Sequence, residues 1–411
     1  MSNTYSFSRT AQSVQGSAIR ELLRHALTPG VISLAGGLPN AELFDVDGLR
    51  AATHAMFESN ARVALQYGAT EGQESLQTAI AALVRKRGIN VHPSSVLVTT
   101  GSQQGLDLIA RAFVDEGDVV GLQVPTYLAA VQAFDLRGAR YLRLPWEMEW
   151  KGVSGMAHRH DGAGRPRMDG ADRPKLAYVV SNFANPSGEC LSLAERRALL
   201  RWAAANRVFV LEDDPYGELR FAGSPLPSMW ELAQEIPGAP PWVGYASSLS
   251  KIVAPGLRIG WLILPEAVRE TVARIKQALD LHTSSFSQEI AARYLASGEL
   301  EGRLEIARPR YAVQCEALAS AVQEEFGDEL EFKKPEGGMF LWCRFREPID
   351  TAELLPVARE HGVIFVPGSV FHPGGGDAST MRLSFSTVSP EALLEGVRRL
   401  SNAYSETMRL V

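Results

Sequence analysis

From residue 95 to residue 212 the chain alternates between two hydrophobic patterns. Short, almost wholly apolar runs cover 96–100, 119–123, 141–144, 176–181 and 208–212. Between several of them lie longer segments, 103–114, 127–136 and 193–206, whose apolar positions recur at helical spacing. The short runs read as strands buried on both faces and the longer ones as amphipathic helices. Ser192 and Glu195 stand at capping-box spacing ahead of the last helix. Strand–helix alternation predicts a mostly parallel sheet covered by helices, with ligands at the carboxyl ends of the strands. Apolar runs over 242–246 and 259–264 break the rule. The segment between them is too short for a crossover helix, so they are expected as an antiparallel pair joined by a Gly/Pro-shaped loop.

Before this region the pattern predicts a helix over 14–27, a strand over 31–34, and helices over 47–58 and 72–86. After it, mainly helical stretches fill 266–325. A smaller α+β unit follows, with strands near 340–345, 363–366 and 382–386 and helices near 352–360 and 390–406. The segment 146–174 is rich in Gly, Arg and Asp without periodicity and reads as a surface insertion. Its His158 and His160 lack a strict metal-ligand spacing.

A chain of 411 residues exceeds one hydrophobic core, so two domains, or a large one with a smaller unit attached, are expected. Lys+Arg of 41 against Asp+Glu of 47, a net charge of -6, argues against a general binder of nucleic acid or membrane surfaces. Cys190, Cys315 and Cys343 form no CxxC pair, which fits plain thiols in a reducing compartment. The N-terminal residues lack the apolar core of a signal peptide, and no run reaches the length of a membrane span, so the expected location is cytoplasmic.

The candidate chemistry centres on residues 247–261. Lys251 lies among the hydroxyls of Ser248 and Ser250, with Arg258 beyond Pro255 and Gly256. A lysine between buried strands and near a fixed cation loses its proton readily, and its free amine can form a Schiff base. The hydroxyls and the guanidinium suit a phosphate. Amine plus phosphate cradle suggests pyridoxal phosphate; a surface loop with an ordinary lysine and arginine is the alternative.

Other strand ends carry matching groups. Gly101, Ser102 and Gln103 open a helix after a strand, which suits an anion or a simple cap by Ser102. Asn185-Pro186-Ser187-Gly188 is either a polar turn or a source of an amide donor to a phenolate-type oxygen. Glu212, Asp213 and Asp214, followed by Tyr216, put acids at a buried strand end, which is costly unless a cation or a protonated nitrogen faces them. A carboxylate under a pyridine nitrogen would keep that nitrogen protonated, and a metal site is the rival. Gly36 and Gly37 allow close backbone approach. Arg20, Tyr67 and Arg382 are candidates for holding a carboxylate substrate.

In order, the segments SAIRELL, ISLAGGLPN, LQYGATEG, TTGSQQGL, NPSG, EDDPYGEL, the lysine loop, EGGMFLW, VPGSVF and MRLSFS resemble the fold-type I pyridoxal-phosphate aminotransferases of class I/II. The likeness is nearest to the subgroup of 2-aminoadipate and kynurenine aminotransferases and covers nearly the whole chain. It implies an α/β fold whose large, mostly parallel sheet has one antiparallel strand, over 46–285. A smaller domain would combine 1–45 with 286–411. It implies that Lys251 carries the cofactor and moves the proton, that Asp213 pairs with the pyridine nitrogen, and that Asn185 and Tyr216 bond the ring oxygen. Tyr127 would stack on the ring. Gly101, Ser102, Gln103, Ser248, Ser250 and Arg258 would bind the phosphate, with Tyr67 reaching in from the partner subunit of a homodimer. Arg382 would clamp the substrate carboxylate beside Asn185 and Gly37, and Arg20 would meet the distal group.

The implied activity is ping-pong transfer of an amino group from 2-aminoadipate, kynurenine, or another aromatic or large aliphatic amino acid to a 2-oxo acid such as 2-oxoglutarate. Ser181, where a proline is common, and Leu249, where a phenylalanine is frequent, depart from the pattern and leave substrate choice open. Racemisation or C–S lysis on the same cofactor is an alternative. A transcription regulator is another, but the match begins by about Ser17, leaving too few residues before it for a DNA-binding domain.

Overall fold

In the computed structural model, the described residues are 5–13, 16, 22, 28–144, 159–160, 166–167 and 173–410. Arg20, His158 and most of the insertion lie outside them, as does most of the helix expected over 14–27.

In chain order the strands are β1 Ile32–Ser33, β2 Val96–Thr99, β3 Val119–Leu122, β4 Arg140–Arg143, β5 Arg159–His160, β6 Pro166–Arg167, β7 Leu176–Val180 and β8 Phe209–Asp213. They continue with β9 Val243–Ser248, β10 Gly260–Ile263, β11 Leu330–Phe332, β12 Phe340–Phe345, β13 Val363–Ile364, β14 Val366–Pro367 and β15 Thr380–Ser384. A seven-stranded sheet has the order β2-β10-β9-β8-β7-β3-β4. Within it β10 runs antiparallel to both neighbours, while the other pairings are parallel. The short 242–264 region therefore forms the antiparallel pair its length demands. Strands β7, β8, β9 and β10 are buried at every position, as runs covered on both faces require. Strand β4, at the edge, exposes Arg140 and Arg143, charges that discourage further pairing.

Helices Gly101–Phe113, Leu128–Asp135 and Leu193–Asn206 follow the sequence pattern. The last is closed by the Ser192–Glu195 capping box. Helix Val46–Ala64 runs past its expected end, across a non-helical Asn60 whose side chain bonds Glu289 at 3.0 Å.

A four-stranded sheet, β11-β12-β15-β14, stands apart, and β1 pairs in parallel with β13. Two expectations change here. The apolar run 363–366 divides at Phe365, because its first half pairs with β1 and its second with β15. The last strand sits earlier than expected, so Arg382 is mid-strand, opposite Trp342 and Val366. Strand β11 carries too few apolar residues to be seen in the sequence pattern and is fixed by pairing with β12.

Register aligns the functional edge. Val180 lies opposite Asp213, Asp213 opposite Ala246, and Gly260 opposite both Ser248 and Thr99. The carboxyl ends of β2, β7, β8 and β9 thus share one rim, where a ligand is expected in such a sheet.

Candidate active site

Lys251 follows β9 in a turn anchored by fully buried Leu249, whose N–H donates to Ile259 O at 3.0 Å. The Lys251 amine donates to Gly37 O at 2.8 Å. Burial, aided by the positive charges of Arg382 and Arg258, lowers its pKa from 10.5 to about 8. The depressed amine expected from sequence is present.

Arg258 adopts a left-handed backbone, φ 54, and its Nη2 donates to Thr100 O at 3.5 Å. Gly101, at φ +74, lies so close that a Cβ there would strike the Arg258 guanidinium. A Cβ on Gly260 would lie 2.7 Å from the Gly101 carbonyl carbon and the Ser102 nitrogen. These glycines let the β2 turn, the helix start and the arginine converge. The N-cap of helix Gly101–Phe113 is Thr100, with no side-chain cap bond, so the simple cap by Ser102 is not what forms. Ser102 occupies the first turn instead, at a positive helix terminus. Gln103 Nε2 donates to Ala129 O at 3.2 Å, and Ser248 Oγ accepts from the Ser250 N–H at 3.2 Å.

The three consecutive acids differ in what they meet. Glu212 Oε1 lies 3.9 Å from Arg196 Nη1, and its other oxygen accepts from the Met229 N–H at 2.8 Å. Asp214 pairs with Arg87 at 2.5 Å. Asp213 has no cation within ion-pair distance among the described residues. Its Oδ2 accepts from the Tyr178 hydroxyl at 2.7 Å, while buried Oδ1 has no hydrogen-bond partner. Burial raises its pKa from 3.8 to about 7, against the Tyr178 bond and with help from Asp214. Ion pairing at Glu212 and Asp214 accounts for the outer two acids without a metal. Tyr178 was not anticipated, although a tyrosine inside an apolar strand needs a partner for its hydroxyl.

Arg382, buried in β15, donates from Nη1 to Asn185 Oδ1 and from Nη2 to Ala35 O, each at 2.7 Å. Its Nε is buried without a partner. Its guanidinium lies 4.4 Å from the Phe340 ring centroid and 5.2 Å from that of Phe371, two further contacts the sequence did not announce. Burial lowers its pKa from 12.5 to about 10, so it remains charged at neutral pH. Asn185 also hydrogen-bonds the Tyr216 phenol, whose pKa burial pushes well up. Burial, then Asp213, raises that of Tyr127 to about 12.

Gly37, Tyr127, Asn185, Tyr216, Lys251, Arg258 and Arg382 line one cleft of about 1880 Å³. Tyr67 is apart from it: the residue is 79% exposed and its ring packs edge-on against His282 at 5.8 Å.

Residues 35–400 match the family of aminotransferases class I and II. The chain belongs to that family. It is 38% identical over 406 residues to a 2-aminoadipate transaminase of Thermus thermophilus, covering 98% of each chain. It is 37% identical over 404 residues to aromatic-amino-acid aminotransferase 1 of Thermococcus litoralis, covering 98% of this chain and 95% of that one. The crystal structure of a kynurenine aminotransferase from Pyrococcus horikoshii aligns with a TM-score of 0.87 at 34% identity, covering 98% of this chain and 97% of that one.

This aminotransferase therefore has the fold-type I architecture, and its cofactor is pyridoxal 5′-phosphate. The cleft fits the group on its own terms. Within or beside it are a buried amine of lowered pKa, an unpartnered carboxylate oxygen on Asp213, and an uncapped helix start next to Arg258.

Proposed function

We propose that this aminotransferase moves the amino group of an L-amino acid, such as 2-aminoadipate, kynurenine or another aromatic or large aliphatic one, to a 2-oxo acid such as 2-oxoglutarate in a ping-pong cycle. The observation that carries the reading is a fully buried, charged Arg382 with one unpartnered nitrogen in the cleft that holds the Lys251 amine. Such a guanidinium needs an anion, and an α-carboxylate suits its planar fork.

The cofactor, when bound, supplies an electron sink for the carbanion left when the bond to the substrate Cα proton breaks. The chain supplies the rest. Lys251 Nζ would anchor the cofactor and then move the proton from the substrate Cα to the C4′ position of the cofactor. Asp213 would hold a positive charge at the ring nitrogen, Asn185 and Tyr216 would hydrogen-bond the ring oxygen, and Tyr127 would stack on the ring. Ser102, Gln103, Ser248, Ser250, Arg258 and the Gly101 backbone would hold the phosphate. Arg382, with Asn185 and Gly37, fixes the carboxylate so that the Cα proton faces Lys251. Arg20 would meet the distal group of the donor.

A homodimer in the cytoplasm completes the proposal, with Tyr67 directed into the partner's phosphate site. Its exposure in one protomer supports that role. The β1–β13 pairing likewise supports a small domain built from 1–45 and 286–411 beside a large one over 46–285. The test is a donor panel with 2-oxoglutarate, reading glutamate formed. Glutamate from 2-aminoadipate, kynurenine or aromatic donors is expected. Racemised substrate, or thiol release from S-substituted cysteines without glutamate, would replace the reading with a racemase or a C–S lyase.

A further inference from the structure

Asp213 ends β8 and bears electrostatically on Tyr127 and Tyr216, which line the cleft, whereas Glu212 and Asp214 meet arginines. These two acids belong to a set of matched charges. Arg196 Nη1 is 3.9 Å from Glu212 Oε1, and both side chains are fully buried. Arg87 Nη1 is 2.5 Å from Asp214 Oδ2, whose side chain is also fully buried. Asp214 further accepts from Asn182 Nδ2 at 2.9 Å and from the Tyr245 hydroxyl at 3.2 Å. Glu218, 3.8 Å from Arg87 Nε, has its own cation in Arg308 at 3.3 Å. Gly217 makes the arrangement possible, since a Cβ there would strike the Arg87 guanidinium.

Arg87 follows helix Glu74–Arg85, remote in sequence from the acids, and is absent from the cleft lining. The groups acting on Asp213 are Tyr178 and the neighbouring Asp214 charge, and Asp213 in turn adds to burial in raising the pKa of Tyr127 and Tyr216. Two adjacent carboxylates in a buried site disfavour ionising together unless one is compensated. The geometry points to Arg87 as a positioning residue: by compensating Asp214, it favours the ionised form of Asp213 toward the ring nitrogen of the cofactor. Arg87 touches neither substrate nor cofactor and acts only through the field at Asp213. The inference rests on the reading of Asp213 as the partner of that nitrogen.

The test compares equilibrium affinity of the full-length, cofactor-stripped protein for pyridoxal phosphate and for its 1-deaza analogue, which lacks the ring nitrogen. The ratio of the two affinities reads the Asp213 charge, whereas a general loosening weakens both ligands alike. Asp213→Ala should collapse the ratio. Arg87→Met should lower it about tenfold, the effect of one pKa unit. The double variant Arg87→Met/Asp214→Asn, which removes both charges, should bring it back to within about twofold of the parent. If Asp213→Ala leaves the ratio unchanged, the Asp213 reading is wrong. If Asp213→Ala lowers it but Arg87→Met does not, or the double variant fails to restore it, only the present inference falls. Should Arg87→Met not fold, Asp214→Asn alone decides: the ratio should hold or rise, and a fall overturns the proposal.

Discussion

Arg382 Nη1 and Asn185 Oδ1 are joined by a 2.7 Å hydrogen bond across 197 residues of sequence. The bond ties β15 of the four-stranded sheet to the turn after β7 of the large one. It fixes the side-chain amide of Asn185, whose oxygen accepts from Arg382 while the side chain also bonds the Tyr216 phenol. The groups proposed to bind substrate and cofactor are thus held in one hydrogen-bonded chain.

Replacing the fork by a point charge tests that link. Arg382→Lys should lower kcat/KM for amino donors by about 10–100-fold, the worth of a hydrogen bond to a charged group, mainly through KM. Cofactor absorbance should persist. An unchanged KM would remove Arg382 from the substrate site.

Lys251→Ala should reduce turnover by at least about 10²–10⁴-fold, the usual share of a general base, and should abolish the absorbance of the lysine-linked cofactor. Retention of both would contradict the anchor role.

The pKa of Lys251 falls from 10.5 to about 8 on burial beside Arg382 and Arg258. The reactive free amine therefore grows as pH rises through about 8. The rate of cofactor attachment to the stripped enzyme should rise with a midpoint there and then level off. A midpoint near the ordinary lysine value would show that the site does not depress it.

Gly260→Ala would place a Cβ 2.7 Å from backbone atoms of Gly101 and Ser102. Overpacking of this kind costs about 1–3 kcal/mol. Cofactor affinity should fall together with Tm, both measured by thermal shift with and without added cofactor. Unchanged values for both would mean that the turn is free to move.

Asp213 titrates in the opposite sense to a salt-bridged acid. Its pKa is raised from 3.8 to about 7, so the stability it contributes is complete below 3.8 and is lost as pH rises through about 7. Without cofactor, Asp213→Asn should therefore gain thermal stability over the parent at about pH 8 and much less at about pH 5. With cofactor present the variant should bind it more weakly. An equal gain at both pH values would argue against a raised carboxyl.

The strand–helix alternation, the antiparallel β9–β10 pair and the capping box were legible because each rests on local periodicity or chain length. The lysine loop was legible too, since Lys251, Ser248, Ser250 and Arg258 are close in sequence. Strand β11 and the division of 363–366 were not, because pairing with distant strands outweighs weak local preference.

By itself, the sequence determined the kind of sheet, the candidate amine and the acids at one strand end, because these follow from side-chain type and spacing along the chain. Only the tertiary structure decided which of three adjacent acids stays without a cation among the described residues. Arg87 approaches from a loop distant in sequence to pair with Asp214, and Arg196 from the preceding helix to pair with Glu212. Tyr178, Phe340 and Phe371 entered the site in the same way, since burial and electrostatic compensation depend on distance in space rather than along the chain.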